Sequence, residues 1–95
     1  MMTKMTKWEF LDKLHRLEKL AGRLTEDTLV FSAEVNWRNT DMIQLAREGE
    51  SRIEVLAEIF QKEVTREEKE NSDYVFASFQ TDGITVLELA NKEDA

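Results

Sequence analysis

The chain has 95 residues, no cysteine, no proline, and a formal net charge of -7 from 20 acidic and 13 basic side chains. This length predicts one domain, residues 1–95, and the lack of cysteine excludes disulfides, thiolate metal ligands and a thiol nucleophile. No run of about 18 apolar residues is present, and no signal-peptide core follows the basic start. We therefore expect a cytoplasmic protein without a membrane partner.

The charge is unevenly distributed along the chain. Residues 1–25 carry six Lys or Arg and three Asp or Glu, a net +3, so the remaining residues sum to -10. Nucleic-acid binding needs clustered Lys and Arg, and we therefore expect no direct binding to nucleic acid. An acidic surface favours solubility or a basic protein partner.

The first predicted element is a helix from Lys7 to Ala21. Thr6 and Glu9 have the spacing of a capping box, and Gly22 predicts a left-handed end. Apolar residues recur at helical spacing and predict the buried stripe: Phe10, Leu14, Leu17, Ala21 and Leu24.

A hairpin is predicted next. Residues 29–37 alternate between apolar and polar over nine positions, Asn39-Thr40-Asp41 is typical of a turn, and 42–46 predict a second strand. A three-residue loop would pair Trp37 with Ile43 and keep the apolar side chains on one face.

The second helix is predicted from Ser51, which forms a capping-box pattern with Glu54, to near Asn71. Its stripe is Ile53, Leu56, Ala57, Phe60 and Val64. A second hairpin follows, with Asp82-Gly83 as a two-residue turn. That turn predicts the following pairs: Thr81 with Ile84, Phe79 with Val86, and Phe76 with Leu89.

The two halves of the chain share a weak pattern. Residues 6–11 and 51–56 both read hydroxyl, basic, apolar, Glu, apolar, Leu, which suggests tandem helix–hairpin units at 6–46 and 51–90. Coincidence is the alternative, because helix followed by hairpin is a common order. Either way, we predict an α+β fold of order αββαββ, with a four-stranded antiparallel sheet and two helices packed on one face.

The pattern also predicts the faces of the sheet. The helix-covered side should hold Leu29, Phe31, Ala33, Val35, Trp37, Ile43, Leu45, Tyr74, Phe76, Ser78, Leu87 and Leu89. The opposite side would then be an apolar protein interface, available for a homodimer or another partner: Val75, Ala77, Phe79, Ile84 and Val86, extended by Val30 and Met42. The alternative is that helices straddle the sheet, or that the second hairpin folds back, so that both faces are buried.

Two further groups are candidate contact surfaces. An acidic set could meet a basic partner, although interleaved cations favour an ordinary solvated helix: Glu63, Glu67, Glu68, Glu70 and Asp73. Trp37 and Arg38 are residue types enriched in interface anchors, and the alternative is that Trp37 covers the core edge.

The sequence contains no recognisable set of catalytic residues. The single histidine, His15, cannot make a metal centre with one nearby carboxylate, and the serines lack a paired histidine. With only three glycines there is no phosphate-binding loop. We expect no catalytic residue, no metal and no cofactor.

The sequence therefore predicts a non-catalytic protein-binding module, a homodimeric inhibitor or regulator that occludes a basic surface of a partner. Antagonists of nucleic-acid enzymes encoded by phages or mobile elements have this general composition, an analogy that rests on no motif. The alternative is a small-ligand-binding protein with a pocket between sheet and helices or at a dimer seam, lined by Trp8, Trp37 or Tyr74. A third hypothesis is a purely structural dimeric subunit.

Overall fold

The computed structural model describes residues 4–47 and 50–91, and the statements below concern those residues. They form two helices and five strands in the order α1 (Lys7–Ala21), β1 (Leu29–Glu34), β2 (Asp41–Ala46), α2 (Ile53–Ile59), β3 (Thr65–Glu68), β4 (Tyr74–Thr81) and β5 (Ile84–Asn91). The predicted α+β class is confirmed.

The sheet differs from the predicted one in strand number and direction. Its order is β1-β2-β5-β4-β3, and β2 runs parallel to β5 while every other pair is antiparallel. The prediction of a four-stranded antiparallel sheet is therefore wrong. A parallel neighbour needs a crossover connection, which α2 and the strands after it supply between β2 and β5.

Helix α1 has the predicted bounds and the predicted capping box. The Glu9 amide donates to the Thr6 hydroxyl at 3.1 Å, and the Thr6 amide donates to the Glu9 carboxylate at 3.3 Å. The C-terminal end differs, because Gly22 is right-handed with φ -64°. The helix instead closes by i→i−3 bonds, such as that from the Arg23 amide to the Leu20 carbonyl.

The second helix is shorter than predicted. It ends at Ile59, and Gln61, with φ 56°, turns the chain away. The charged segment expected to continue the helix instead forms β3, which pairs with β4 from Thr65 opposite Ser78 to Glu68 opposite Val75. Pairing satisfies the outer backbone groups of β4, and this tertiary gain outweighs the helix propensity of Glu, Lys and Arg.

One hairpin matches its prediction and one does not. β4 and β5 pair in the predicted register, including Phe79 with Val86, and the turn residues Asp82 and Gly83 have φ values of 51° and 77°. In the first hairpin, the connection spans residues 35–40, and Ala33 rather than Trp37 lies opposite Ile43. A β-bulge between Val30 and Ser32 breaks the alternation on which the predicted register depended.

The core lies between one face of the sheet and both helices. Leu20 of α1 and Leu56 of α2 belong to the same buried cluster as Ile43 and Val86, so the two helices cover the same face. Of the predicted second-helix stripe, Ile53, Leu56, Ala57 and Phe60 are buried and Val64 is partly buried.

The predicted faces of β4 and β5 are reversed. The five residues assigned to an exposed interface are buried among the core side chains that the helices cover: Val75, Ala77, Phe79, Ile84 and Val86. Their neighbours in sequence point the other way. The sequence analysis assigned Ile43 and Leu87 to the same side of the sheet, whereas β2 and β5 pair Ile43 with Val86, one position away, and a one-residue shift exchanges the faces.

The stripe predicted for α1 is also displaced. Leu20 and Lys13 are buried and Leu17 is partly buried, whereas Phe10 is 41% and Leu14 37% exposed. In β1 every residue is exposed, so Leu29, Phe31 and Ala33 are not in the core. Val35 and Trp37 are half-buried in the connection that follows.

Candidate functional site

The open face of the sheet is the side that neither helix covers. It is defined here by the side chains that alternate with the buried ones on β2, β4 and β5: Met42, Gln44, Ala46, Tyr74, Phe76, Ser78, Gln80, Thr85, Leu87, Leu89 and Asn91. Tyr74, Gln80 and Asn91 are exposed, and the others are half-buried.

The strand register arranges the open face in rows. Gln44 lies beside Leu87, which lies opposite Ser78, and in the next row Leu89 lies opposite Phe76. Leu87 and Leu89 on β5 and Phe76 on β4 thus form an apolar centre on two adjacent strands, and Met42 lies apart from it, beside Thr85. None of the eleven open-face residues is charged.

Acidic side chains stand at the two margins of this face. Glu34 on edge strand β1 lies opposite Met42, and Glu67 on edge strand β3 lies opposite Phe76. The Lys69 ammonium lies 5.1 Å from the centroid of the Phe76 ring. The site is therefore a strip of apolar and uncharged polar side chains, with a carboxylate at each margin and the Lys69 ammonium over Phe76.

The predicted interface residues Val30 and Met42 do not share a face. Met42 belongs to the open face, whereas Val30 lies opposite the buried Leu45 on the helix side and is 48% exposed. The bulge after Val30 accounts for the loss of period-two alternation along β1.

The predicted acidic contact surface lies along β3 and its flanks, not on a helix. All five residues are exposed: Glu63, Glu67, Glu68, Glu70 and Asp73. Arg66, which lies among these acidic residues in the sequence, forms an ion pair with Glu54 of α2. Within β3, Glu67 faces the open side, whereas Glu68 lies opposite the buried Val75.

Trp37 and Arg38 lie in the connection between β1 and β2. The Arg38 guanidinium carbon is 5.0 Å from the centroid of the Trp37 ring, a cation–π arrangement. The Asn36 side-chain oxygen accepts from the amides of Arg38 and Thr40 at 2.9 and 3.1 Å, which fixes the loop. Trp37 is half-buried and Arg38 is exposed.

Beneath this loop lies a buried ion pair that the sequence analysis missed. The Lys13 ammonium lies 3.3 Å from the Asp41 carboxylate and donates to the Asn39 side chain at 2.7 Å. The same carboxylate accepts from the Asn36 amide at 3.0 Å. The sequence did contain a signal for this burial. Asp41 lies two residues before Ile43 and four before Leu45, so it shares their side of β2.

A second buried carboxylate fixes the start of α2. Glu88, 2% exposed, accepts from the Ser51 hydroxyl at 2.5 Å and from the Arg52 amide at 2.9 Å. The expected capping box of Ser51 with Glu54 is replaced by this contact from β5. The spacing was again the missed signal, since Glu88 lies two residues from both Val86 and Ala90 and therefore shares their buried side of β5.

One surface carboxyl has a perturbed titration. A hydrogen bond from the Thr25 hydroxyl is the largest influence on the pKa of Asp27 and lowers it; desolvation opposes this shift, and the nearby Arg52 guanidinium adds a smaller lowering. Arg52 lies 2.6 Å from the Asp27 carboxylate. This contact ties the start of β1 to the start of α2 and has no evident chemical role.

Two further features of residues 4–47 and 50–91 concern metal ligands and helix length. No group of three or more His, Cys, Asp or Glu among them could hold a metal ion, and His15 is exposed on α1. No helix in the described part of the chain is long and apolar enough to cross a membrane.

Comparison with protein-family models, curated proteins and solved structures gave no match.

Proposed function

We propose that this protein is a non-catalytic binding module that acts as an inhibitor or regulator by covering a partner protein with the open face of its sheet. The observation that carries the proposal is the uncharged apolar centre of that face, since such patches on small domains usually mark interaction surfaces. The other side of the same strands is packed in the core.

The margins of the face indicate the chemistry of the partner. Glu34 and Glu67 flank the strip, and the protein carries a net charge of -7. A complementary surface has an apolar centre and a basic rim, as an amphipathic helix rich in Leu and Lys does. We therefore propose a basic protein partner, as expected from the sequence, whose apolar residues contact Leu87, Leu89 and Phe76.

The rival hypothesis of a small-ligand pocket between sheet and helices has less support. Ile53, Leu56, Ile84 and Val86 fill that space and are almost completely buried. Of the aromatic residues proposed to line it, Trp8 is 74% and Tyr74 47% exposed. We place the binding activity in the cytoplasm, the compartment expected for a chain without cysteine.

A labelled amphipathic Leu/Lys helical peptide tests the proposal by fluorescence anisotropy. We expect binding that weakens with added salt, and that Leu87→Asp weakens about tenfold or more. Val55→Asp is the matched control, because Val55 is an exposed apolar residue on α2, away from the open face.

Two results would contradict the proposal. One is equal binding by the Leu87→Asp and unmodified proteins. The other is equal binding of a Leu/Glu peptide with the same apolar face, which would remove the role of the acidic margins. Circular dichroism of each variant checks that the fold is retained.

A further inference from the structure

A cation of the chain itself lies over the open face. The Lys69 ammonium is 5.1 Å from the centroid of the Phe76 ring, within the range of a cation–π contact. Lys69 directly follows β3, and the alternation that sets Glu67 on the open side sets Lys69 there as well. Because Phe76 belongs to the apolar centre of the face, Lys69 covers part of the surface assigned above to the partner.

The backbone of Lys69 is held in a turn. The Ser72 amide donates to the Lys69 carbonyl at 3.0 Å, and the Ser72 hydroxyl accepts from the Tyr74 amide at 3.1 Å. These two bonds fix the short connection between β3 and β4 at both ends. The Lys69 side chain therefore extends toward the ring from a defined position and not from a long loop.

The surroundings of the Phe76 ring suit a bound cation. The ring is half-buried, and an aromatic face attracts an ammonium or guanidinium group. Glu67 lies directly opposite Phe76 on the neighbouring strand, where Cβ atoms are about 5 Å apart, so a cation over the ring is also close to a carboxylate. Leu89 lies opposite Phe76 on the other side and offers an apolar surface for the methylene groups of a basic side chain.

We propose that Phe76 and Glu67 form a subsite for a Lys or Arg side chain of the partner, and that Lys69 occupies this subsite in the free protein. The proposal rests on the proposed function and names the position at which the open face recognises a basic residue. Lys69 takes the place of the partner's cation and leaves the ring when the partner docks. The chain thereby lowers its own affinity for a basic partner.

This exchange gives the open face a preference among partners. A partner that sets an apolar side chain on Phe76 displaces Lys69 and returns no cation to the ring or to Glu67. A partner with Lys or Arg at this position replaces one cation by another, so the contact with the ring is kept. Arg is the better replacement, because its planar guanidinium stacks on a ring and also donates to a carboxylate.

Fluorescence anisotropy with the labelled Leu/Lys helical peptide measures the effect of Lys69. We expect Lys69→Ala to bind the peptide about two- to fivefold more tightly than Lys62→Ala does, the size of an exposed cation–π contact. Lys62→Ala is the matched control, because Lys62 is an exposed residue between α2 and β3, outside the open face, and its loss changes the net charge equally. Lys69→Arg keeps a cation on the ring and should bind no more tightly than the unmodified protein.

Phe76→Leu distinguishes a subsite from simple repulsion between Lys69 and the basic peptide. It keeps an apolar side chain at this position and removes the aromatic face. If Lys69 acts through the ring, the gain from Lys69→Ala should be largely lost in the Phe76→Leu background. A gain of the same size in both backgrounds overturns the inference, and so does equal binding by Lys69→Ala and Lys62→Ala.

NMR of the free protein gives a readout that needs no partner. The ε-methylene protons of Lys69 lie near the face of the Phe76 ring, so we expect their signals to be shifted upfield and to return to ordinary values in Phe76→Leu. Ordinary values in the unmodified protein overturn the inference even when the peptide binds, and they leave the proposed function intact. A shifted signal with no peptide binding by any variant instead removes the partner, and with it both the proposed function and the subsite.

Discussion

At the scale of single residues, two buried carboxylates hold segments that are distant in sequence. Asp41 and Glu88 are 4% and 2% exposed, yet each has several hydrogen-bond donors, so neither leaves a buried charge unsatisfied. Among the described residues, no buried side-chain nitrogen or oxygen lacks a partner. These contacts fix where α1 and α2 sit on the sheet.

The Lys13–Asp41 pair gives the first prediction. Asp41→Asn keeps an acceptor for the Asn36 amide but leaves the Lys13 ammonium buried without a counter-charge. We expect it to lower the free energy of unfolding by about 3 kcal/mol, measured by urea denaturation. The double variant Lys13→Met/Asp41→Asn removes both charges and should recover most of that loss.

The double variant is also the control for the mechanism. If it is as unstable as Asp41→Asn, the damage comes from lost hydrogen bonds or packing and not from an unpaired charge. If Lys13→Met alone is harmless, the Asp41 carboxylate does not depend on the ammonium, and the pair contributes little to stability.

At the scale of elements, the sequence predicted the helix and the hairpin that are determined by residues close together in the chain. The bounds of α1 follow from Thr6, Glu9 and helical periodicity, and the β4–β5 register follows from Asp82-Gly83. Strand β3 could not be predicted, because its charged residues favour a helix and only the edge of β4 makes them a strand. The parallel β2–β5 contact depends on residues distant in sequence, which no local pattern reports.

The sequence analysis assigned the uncovered face of β4 and β5 to the wrong set of alternating residues. Two helices on one face of the sheet leave the other face uncovered. Both faces of the β4–β5 hairpin carry apolar side chains, such as Phe79 and Val86 on one and Phe76 and Leu89 on the other. Val86 and Leu87 are thus equally plausible as buried residues until the neighbour strand is known. The parallel pairing of Ile43 with Val86 decides between them, and it assigns Leu87 to the open face.

Helix α2 gives the second prediction, since it depends on a side chain from β5. Glu88→Ala removes the acceptor for the Ser51 hydroxyl and the Arg52 amide. We expect a loss of about 2 kcal/mol in the free energy of unfolding, because a buried charge-assisted contact is lost and its donors are left unpaired. Urea denaturation measures the loss.

Glu54→Ala is the matched control for Glu88→Ala. Glu54 occupies the capping-box position predicted from the sequence, but in the structure it pairs on the surface with Arg66. An exposed pair of this kind contributes little, and we expect a change within about 1 kcal/mol. A larger loss from Glu54→Ala than from Glu88→Ala would show that local capping, not β5, holds the start of α2.

At the scale of the whole molecule, β5 joins the two halves of the chain. It pairs with β2 on one side and β4 on the other, and Ile84 and Val86 contribute to the cluster that contains Leu20 and Leu56. The apparent tandem units therefore share one core. Each half therefore loses part of this core when the other is removed.

Separate fragments of residues 1–50 and 51–95 test this dependence. We expect each alone to lack a cooperative thermal transition by circular dichroism, because the first loses β5 against Ile43 and the second loses β2 and α1 against Val86. Both are also close to the size below which chains without disulfides seldom fold. Mixing the fragments should restore the spectrum and the transition of the intact chain, since the lost contacts are then available between fragments. A cooperative transition in either fragment alone would contradict the shared core and support independent repeats instead.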